Sequence, residues 1–271
     1  MIEAAPAKIN LALHVTGRRA DGYHLLDSLV AFARSGDEVR LTDGPLSLTL
    51  DGLFAIGLGD GDDNLCLRAA RLAGAEASIH LTKNLPIASG IGGGSADAAA
   101  VLRGLARLGH SLPDDPERLG ADIPVCLAGR PARMRGVGER LDPVPPLPPM
   151  PMVLVNPGVA LSTPNVFAAL DRTDHAPLPE PEWTGADTLL HWLARTRNDL
   201  QPAAQRLVPA ITDVLAALDS HGARLSRMSG SGATCFGLFD DDATAARAAA
   251  ALSRRGWWAV ATELAQGPAA V

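Results

Sequence analysis

The stretch Leu85–Ala100, LPIASGIGGGSADAAA, sets glycines at 90, 92, 93 and 94 directly before a run that reads as a helix. Glycine loses more backbone freedom on folding than any other residue, so such a cluster must return something that side chains would block. Two phosphate-binding patterns fail on it. GxxxxGK[ST] needs a lysine after its last glycine, and GxGxxG counted from Gly90 needs a glycine at 95; both meet Ser95. The physical ingredients are still present. Glycines let a ligand approach the backbone, and successive free N–H groups form an anion nest. A helix beginning at Ser95 would aim its positive end there. Ser95 can cap that helix or touch a phosphate or its metal. On the residues alone, a tight strand-to-helix turn with close packing explains the glycines equally well.

The 271 residues, 47% of them hydrophobic, suffice for one large core or two ordinary ones. With 24 Lys+Arg against 30 Asp+Glu the net charge is -6, which gives no general attraction to nucleic acid or acidic membranes. Cys66, Cys126 and Cys235 stand far apart with no metal-ligand spacing, and read as small buried hydrophobes in a reducing compartment. MIEAAPAKIN lacks the basic and long apolar regions of a leader, and no apolar run reaches about 18 residues. The expectation is a cytoplasmic globular protein with neither a nucleic-acid nor a membrane partner.

Alternation predicts a strand over Ala7–Val15, followed by a turn-rich loop, GRRADGYHLLDSL. Asp37–Thr42 and Leu46–Leu50 read as a strand pair around DGP. Asn64–Ala73 reads as a helix with Asp63 as N-cap, Ala77–Thr82 as a strand and Ser95–Leu108 as a helix. LDPVPPLPPMPM, 141–152, is proline at six of twelve positions, which predicts an extended connector and a domain boundary close by. Beyond it, Asp199–Asp219 reads as helical with breaks at Pro202 and Pro209. Ala223–Met228 and Thr234–Phe239 read as strands, Asp242–Arg255 as a helix and Trp257–Leu264 as a strand. That order is most of a ferredoxin-like unit. The tail QGPAAV is expected to fray.

Three separated stretches, PAKINLALHV from Pro6, LPIASGIGGGSADAAA and MSGSGATCFGLF from Met228, fall in the order of one family. Together they resemble the GHMP kinases, small-molecule kinases whose glycine loop has the form PxxxGxGGGS. GRRADGYHLLDSL, GADIPVCL, GVGERL and VNPGVALSTPNVF narrow the resemblance to a member whose substrate carries a cytidine diphosphate group. The resemblance runs from about Pro6 to Phe239. It implies an α+β, two-domain GHMP kinase fold, monomeric or homodimeric. An N-terminal ribosomal-protein-S5-domain-2-like domain would occupy 1–150 and a C-terminal ferredoxin-like domain 151–271. It implies ATP-dependent phosphorylation of a 2-hydroxyl on the non-mevalonate isoprenoid route, with Mg2+. Another small alcohol such as homoserine or mevalonate, or a non-catalytic ATP-binding module, are the alternatives.

The resemblance also implies roles. Pro86, Ile87, Ala88, Ser89, Gly90, Ile91, Gly92, Gly93, Gly94, Ser95 and Ala96 would wrap the ATP phosphates. Ser229, Gly230, Ser231 and Gly232 would close beside them, although by composition alone SGSG is a hairpin turn. Lys8 and Asp122 match the family's catalytic pair; without the resemblance, a solvated strand-end charge and a helix cap are the simpler readings. Asn10, two residues from Lys8 on a strand, faces the same side and is expected to orient substrate or lysine. Tyr23, the only tyrosine, and His24 would read the cytosine, with Thr163 and Phe167 across the base pocket. Ser95 is the expected metal ligand and Asp97 a weaker one.

Overall fold

A computed structural model describes residues 1–265 and 267; the expected fraying of QGPAAV falls almost wholly outside them. The strands are β1 (Ile2–Arg18), β2 (His24–Thr42), β3 (Ser47–Asp51), β4 (Ser78–Thr82), β5 (Ala132–Gly136), β6 (Arg140–Pro143), β7 (Pro151–Asn156), β8 (Leu225–Met228), β9 (Cys235–Leu238) and β10 (Trp258–Ala265). The helices are α1 (Leu65–Leu72), α2 (Gly93–Arg107), α3 (Ile123–Ala128), α4 (Thr163–Ala168), α5 (Ala186–Ala194), α6 (Gln201–Leu207), α7 (Ala210–Ser220) and α8 (Asp242–Ser253). The architecture is α+β.

The long strand β2 organises the sheet. β1 pairs antiparallel along most of it, from Ile2↔Arg40 to Arg18↔His24. β5, β10 and β4 pair with successive stretches of it: β5 with Leu26–Val30, β10 with Phe32–Ala33 and β4 with Glu38–Thr42. The strand order is β3-β4-β2-β10-β7-β9-β8, with β1, β5 and β6 attached through β2. Within it, β10-β7-β9-β8 is antiparallel throughout. With α7 between β7 and β8 and α8 between β9 and β10, this completes the βαββαβ order, β7 supplying the strand hidden by the prolines before it. One apolar cluster lies under α1 and α2, a second between α6, α7, α8 and their strands, and a third draws Ile9 and Leu29 together with Leu154, Trp192 and Phe236.

Several expectations are corrected. Only about five residues separate β1 from β2, because Leu25–Leu29 continue into the strand; Arg19 and Tyr23 close the turn. β3 does not pair with β2. β4 lies between them, antiparallel to β2 and parallel to β3. Buried Ile79 and Leu81 give β4 the inner place, while β3 half-buries only Leu48 and Leu50 and takes the edge. Asn64, not Asp63, caps α1, accepting from the Cys66 amide. Pro202 opens α6 rather than breaking it, as a proline in a first turn costs no hydrogen bond. α3, α4, α5, β5 and β6 were not legible as periodic runs.

His14 on β1 is buried, and its Nδ1 lies 2.9 Å from the Ala176 carbonyl. A carbonyl only accepts, so Nδ1 carries the proton, and the buried Nε2 has no partner among the described residues. Burial, which outweighs the Ala176 bond, holds this imidazole below its ordinary value. A depressed folded value means that the contribution is complete above the unfolded value, about 6.5, and is lost as pH falls through the folded one. Urea midpoints measured between pH 7.5 and 5.5 should therefore fall more steeply for the native chain than for His14→Gln. Equal slopes would remove His14 as the source.

Candidate functional site

β1 places Lys8 and Asn10 on one face at the middle of the molecule. Lys8 is 4% exposed, so it is not a solvated strand-end charge. Its Nζ lies 3.0 Å from Asp122 Oδ2 and donates to Asn10 Oδ1 at 2.9 Å. Asp122 occupies the cap position of α3, but its side chain caps nothing. At 29% side-chain exposure the carboxylate keeps an open side toward solvent while the ammonium holds it from within. Asn10 is fixed in turn, its Nδ2 donating to Ser28 Oγ at 2.7 Å, which donates on to the Ala12 carbonyl.

The glycine stretch crosses directly over this pair. The Lys8 amide donates to the Ile91 carbonyl at 2.9 Å. α2 begins at Gly93, two residues earlier than expected, with Gly92 in the left-handed region at φ 61 and no side-chain cap. Ser95 is therefore a first-turn residue rather than the cap. The first amide to bond back into the helix is Ala96, to Gly92 O. The amides of Gly93, Gly94 and Ser95 precede it and have no intrahelical acceptor, as at any helix start. This cradle suits a phosphate chain.

The glycines themselves serve mainly the chain's own close packing. A Cβ on Gly92 would stand 3.1 Å from Lys8 Cβ and Cε; one on Gly90 would stand 2.6 Å from Gly232 N and Ser229 O. At Gly93 it would meet Lys83 Nζ at 2.9 Å, so this position opens inward on a buried ammonium. The second loop, Ser229–Gly232, is locked to the first: Ser229 Oγ donates to Gly90 O at 3.1 Å and accepts from the Asn10 amide at 3.1 Å, and the Thr234 amide donates to Ser89 O at 3.0 Å. The SGSG segment is thus bonded to the first glycine loop and is not a free hairpin turn.

Beneath α2 the structure reveals a buried cluster that the sequence did not announce. Lys83 Nζ donates to Asp37 and, at 2.7 Å, to Asp97 Oδ2. Asp37 also takes the Asn84 and Leu85 amides. Burial opposes the Lys83 charge, but Asp97 and Asp37 together raise its pKa. Burial pushes the Asp97 carboxyl up to about 8, against the pull of Lys83. Asp97 is turned into the interior, which removes it as a metal ligand. Ser95 carries no side-chain hydrogen bond among the described residues, and its Oγ lies 3.9 Å from where a Cβ of Gly120, two residues ahead of Asp122, would stand. A free hydroxyl there fits a cation shared with phosphate oxygens. No group of three or more His, Cys, Asp or Glu among the described residues could hold a metal by itself.

The expected base pocket is partly assembled. His24 and Phe167 stack, with ring centroids 4.7 Å apart and planes inclined by 25°. Phe167 also packs against the second apolar cluster, so its core and pocket readings coexist. Burial first, then the Arg18 charge, lower the His24 pKa, leaving a neutral ring with one donor and one acceptor. Tyr23 is 65% exposed at the tip of the β1–β2 turn and joins no ring pair among the described residues. The Thr163 and Ser231 hydroxyls are hydrogen-bonded at 2.7 Å, which ties α4 to the second glycine loop. Arg19 pairs with Asp21, and Arg18 donates to Gly22 O.

The chain matches two family descriptions, "GHMP kinases N terminal domain" over residues 64–131 and "GHMP kinases C terminal" over residues 178–256. It is 62% identical over 267 residues to the 4-diphosphocytidyl-2-C-methyl-D-erythritol kinase of Paracoccus denitrificans, covering 97% of this chain and 96% of that one. It is 54% identical to the enzyme so named from Jannaschia sp., covering 94% of each. A crystal structure of 4-(cytidine 5'-diphospho)-2C-methyl-D-erythritol kinase superposes with a TM-score of 0.81 at 38% identity, covering 98% of this chain and 100% of that one. A homoserine kinase from Cytophaga hutchinsonii shares the fold at 19% identity, covering 99% of this chain and 95% of that one with a TM-score of 0.65.

Proposed function

This chain belongs to the GHMP kinase family, and from that premise we propose that it transfers a phosphoryl group from ATP to the 2-hydroxyl of 4-diphosphocytidyl-2-C-methyl-D-erythritol. The observation that carries the chemistry is the Lys8–Asp122 pair, 3.0 Å apart beneath the glycine loop. Phosphoryl transfer asks a protein mainly for positioning and charge stabilisation. Asp122 accepts the hydroxyl proton. Lys8 orients that carboxylate and stabilises the oxygen as it attacks. The first-turn amides of α2 hold phosphate oxygens, and the loop Ser229–Gly232 closes the cradle. Ser95 would help to hold a Mg2+ ion, which would supply neutralising charge to the phosphates when bound.

Tyr23 takes the cytosine on one face, and His24, braced by its stack on Phe167, meets its edge. Pairing a polar edge discriminates better than sensing bulk. The division at residue 150 belongs to the same reading: the first cluster lies wholly before it, the second lies beyond it apart from Leu13, Val15 and Leu26, and the third is built from both halves.

The test is a coupled assay of ADP release with Mg2+ and three alcohols: the cytidyl-methylerythritol substrate, homoserine and mevalonate. Turnover with the first alone is expected. Turnover with another would overturn the cytosine reading, and ATP binding without turnover would leave a regulatory module. Tyr23→Ala removes one stacking face, worth about 1–3 kcal/mol. The KM for the alcohol should rise roughly 5- to 150-fold, with ATP affinity unchanged. Equal loss of both would make Tyr23 a structural residue.

A further inference from the structure

Behind the second glycine loop, and sharing no residue with the site above, lies a cavity of about 420 Å³. α6 contributes Gln201 and Arg206, β8 contributes Ser226 and Arg227, the turn after α5 contributes Arg197–Asp199, and the segment after α4 contributes Asp171, Arg172 and His175. Four arginines line it against two aspartates, in a chain whose net charge is -6.

The two aspartates are already engaged. Asp199 accepts from Arg197 Nε at 2.5 Å and from the Val15 amide at 2.8 Å; Asp171 pairs with Arg206 at 3.0 Å. Arg172 takes Asp174, which does not line the cavity. Arg227 is buried, and among the described residues no carboxylate pairs with it. Its guanidinium donates only to the Leu11, Leu193 and Thr196 carbonyls and the Thr196 hydroxyl. A buried guanidinium without a counter-charge is costly, and burial lowers its pKa to about 10. The carbonyls orient the charge without neutralising it.

We propose that this cavity is a second anion site, shaped for a phosphate-bearing small molecule and coupled to the loop Ser229–Gly232. Arginine forks match phosphate oxygens, and the volume falls in the range of small-molecule sites. The coupling is built from hydrogen bonds. Asn198 Nδ2 donates to the Met228 and Gly230 carbonyls, each at 2.8 Å, and Gln201 Oε1 accepts from the Met228 amide at 2.9 Å. Both side chains line the cavity and hold the root of the loop. An anion held by Arg206 and Arg172 in the field of the unneutralised Arg227 charge loads the same helix and strand end that position the ATP-side loop. Binding stands apart from the kinase reading; its effect on ATP rests on it.

The probe is inorganic pyrophosphate, titrated calorimetrically into the full chain saturated with ADP and free of divalent metal. One binding event is expected, weakened at least tenfold in the double variant Arg172→Gln/Arg206→Gln. Asp171→Asn, which removes an acid beside Arg206, should tighten it severalfold, a gain that misfolding cannot imitate. In turnover assays pyrophosphate should shift the KM for ATP at least twofold in the native chain and not in the double variant, whose activity without pyrophosphate stays native. No binding, or binding unaffected by both variants, overturns the site. Binding that responds to the variants with no change in the KM for ATP overturns the coupling. A chain inactive as a kinase that still binds pyrophosphate in this pattern leaves the site standing and sinks the kinase reading instead.

Discussion

Asp122→Asn is expected to lower kcat by about 10²- to 10⁴-fold, the range a positioned general base contributes, while ATP affinity stays within about twofold of native. The substitution keeps the shape of the side chain and removes its basicity. Lys8 retains Asn10 Oδ1 at 2.9 Å, so the ammonium is not stranded. Asp122 makes no capping bond to α3, so the helix loses nothing. The phosphate cradle comes from other residues, the amides that open α2. Single-turnover kinetics with a separate ATP titration resolves the two effects. Near-native turnover would remove Asp122 as the base; a parallel loss of ATP affinity would mean that the carboxylate organises the loop instead.

Gly90→Ala should cost the chain both stability and its ATP site. The added Cβ would stand 2.6 Å from Gly232 N and Ser229 O and 2.7 Å from Gly232 O, all backbone atoms that cannot swing aside. Gly90 also sits at φ 78, a region unfavourable to alanine by roughly 1–2 kcal/mol. The two glycine loops must part, and with them the bonds through Ser229. ATP affinity is expected to fall at least 100-fold, about 2.7 kcal/mol, and the urea midpoint to drop. Gly74→Ala separates the two causes. Its φ is 62, but a Cβ there meets nothing within 4 Å. That variant should lose only the backbone term and bind ATP normally. An ATP affinity for Gly90→Ala within twofold of native would contradict the locked-loop picture.

Much of the site was legible because its parts are short and local. PAKIN, the glycine stretch and GADIP each carry their meaning in five to sixteen consecutive residues. The elements read correctly were those with a strong period and a clear end, such as α8 with Asp241 as its cap. α3, β5 and β6, of four to six residues each, gave too little periodicity and escaped. The supposed β2–β3 pair failed because pairing partners are chosen by burial across the sheet, and β4 arrives from 36 residues after Thr42 to claim the inner place.

Residue types and spacing alone decided which groups this protein possesses: a glycine loop before a helix, a lysine and asparagine on one strand face, an aspartate ahead of a proline. Tertiary structure decided what those groups are worth. It buried Lys8 and set it 3.0 Å from Asp122, 114 residues on. It assigned Gly90 and Gly93 to close packing within the chain, turned Asp97 inward onto Lys83, and left Arg227 facing a cavity without a counter-charge. The physical reason is that charge, solvation and steric room depend on neighbours through space. A local motif specifies a side chain and a backbone direction, and only the packed fold supplies the dielectric and the partners that turn them into chemistry.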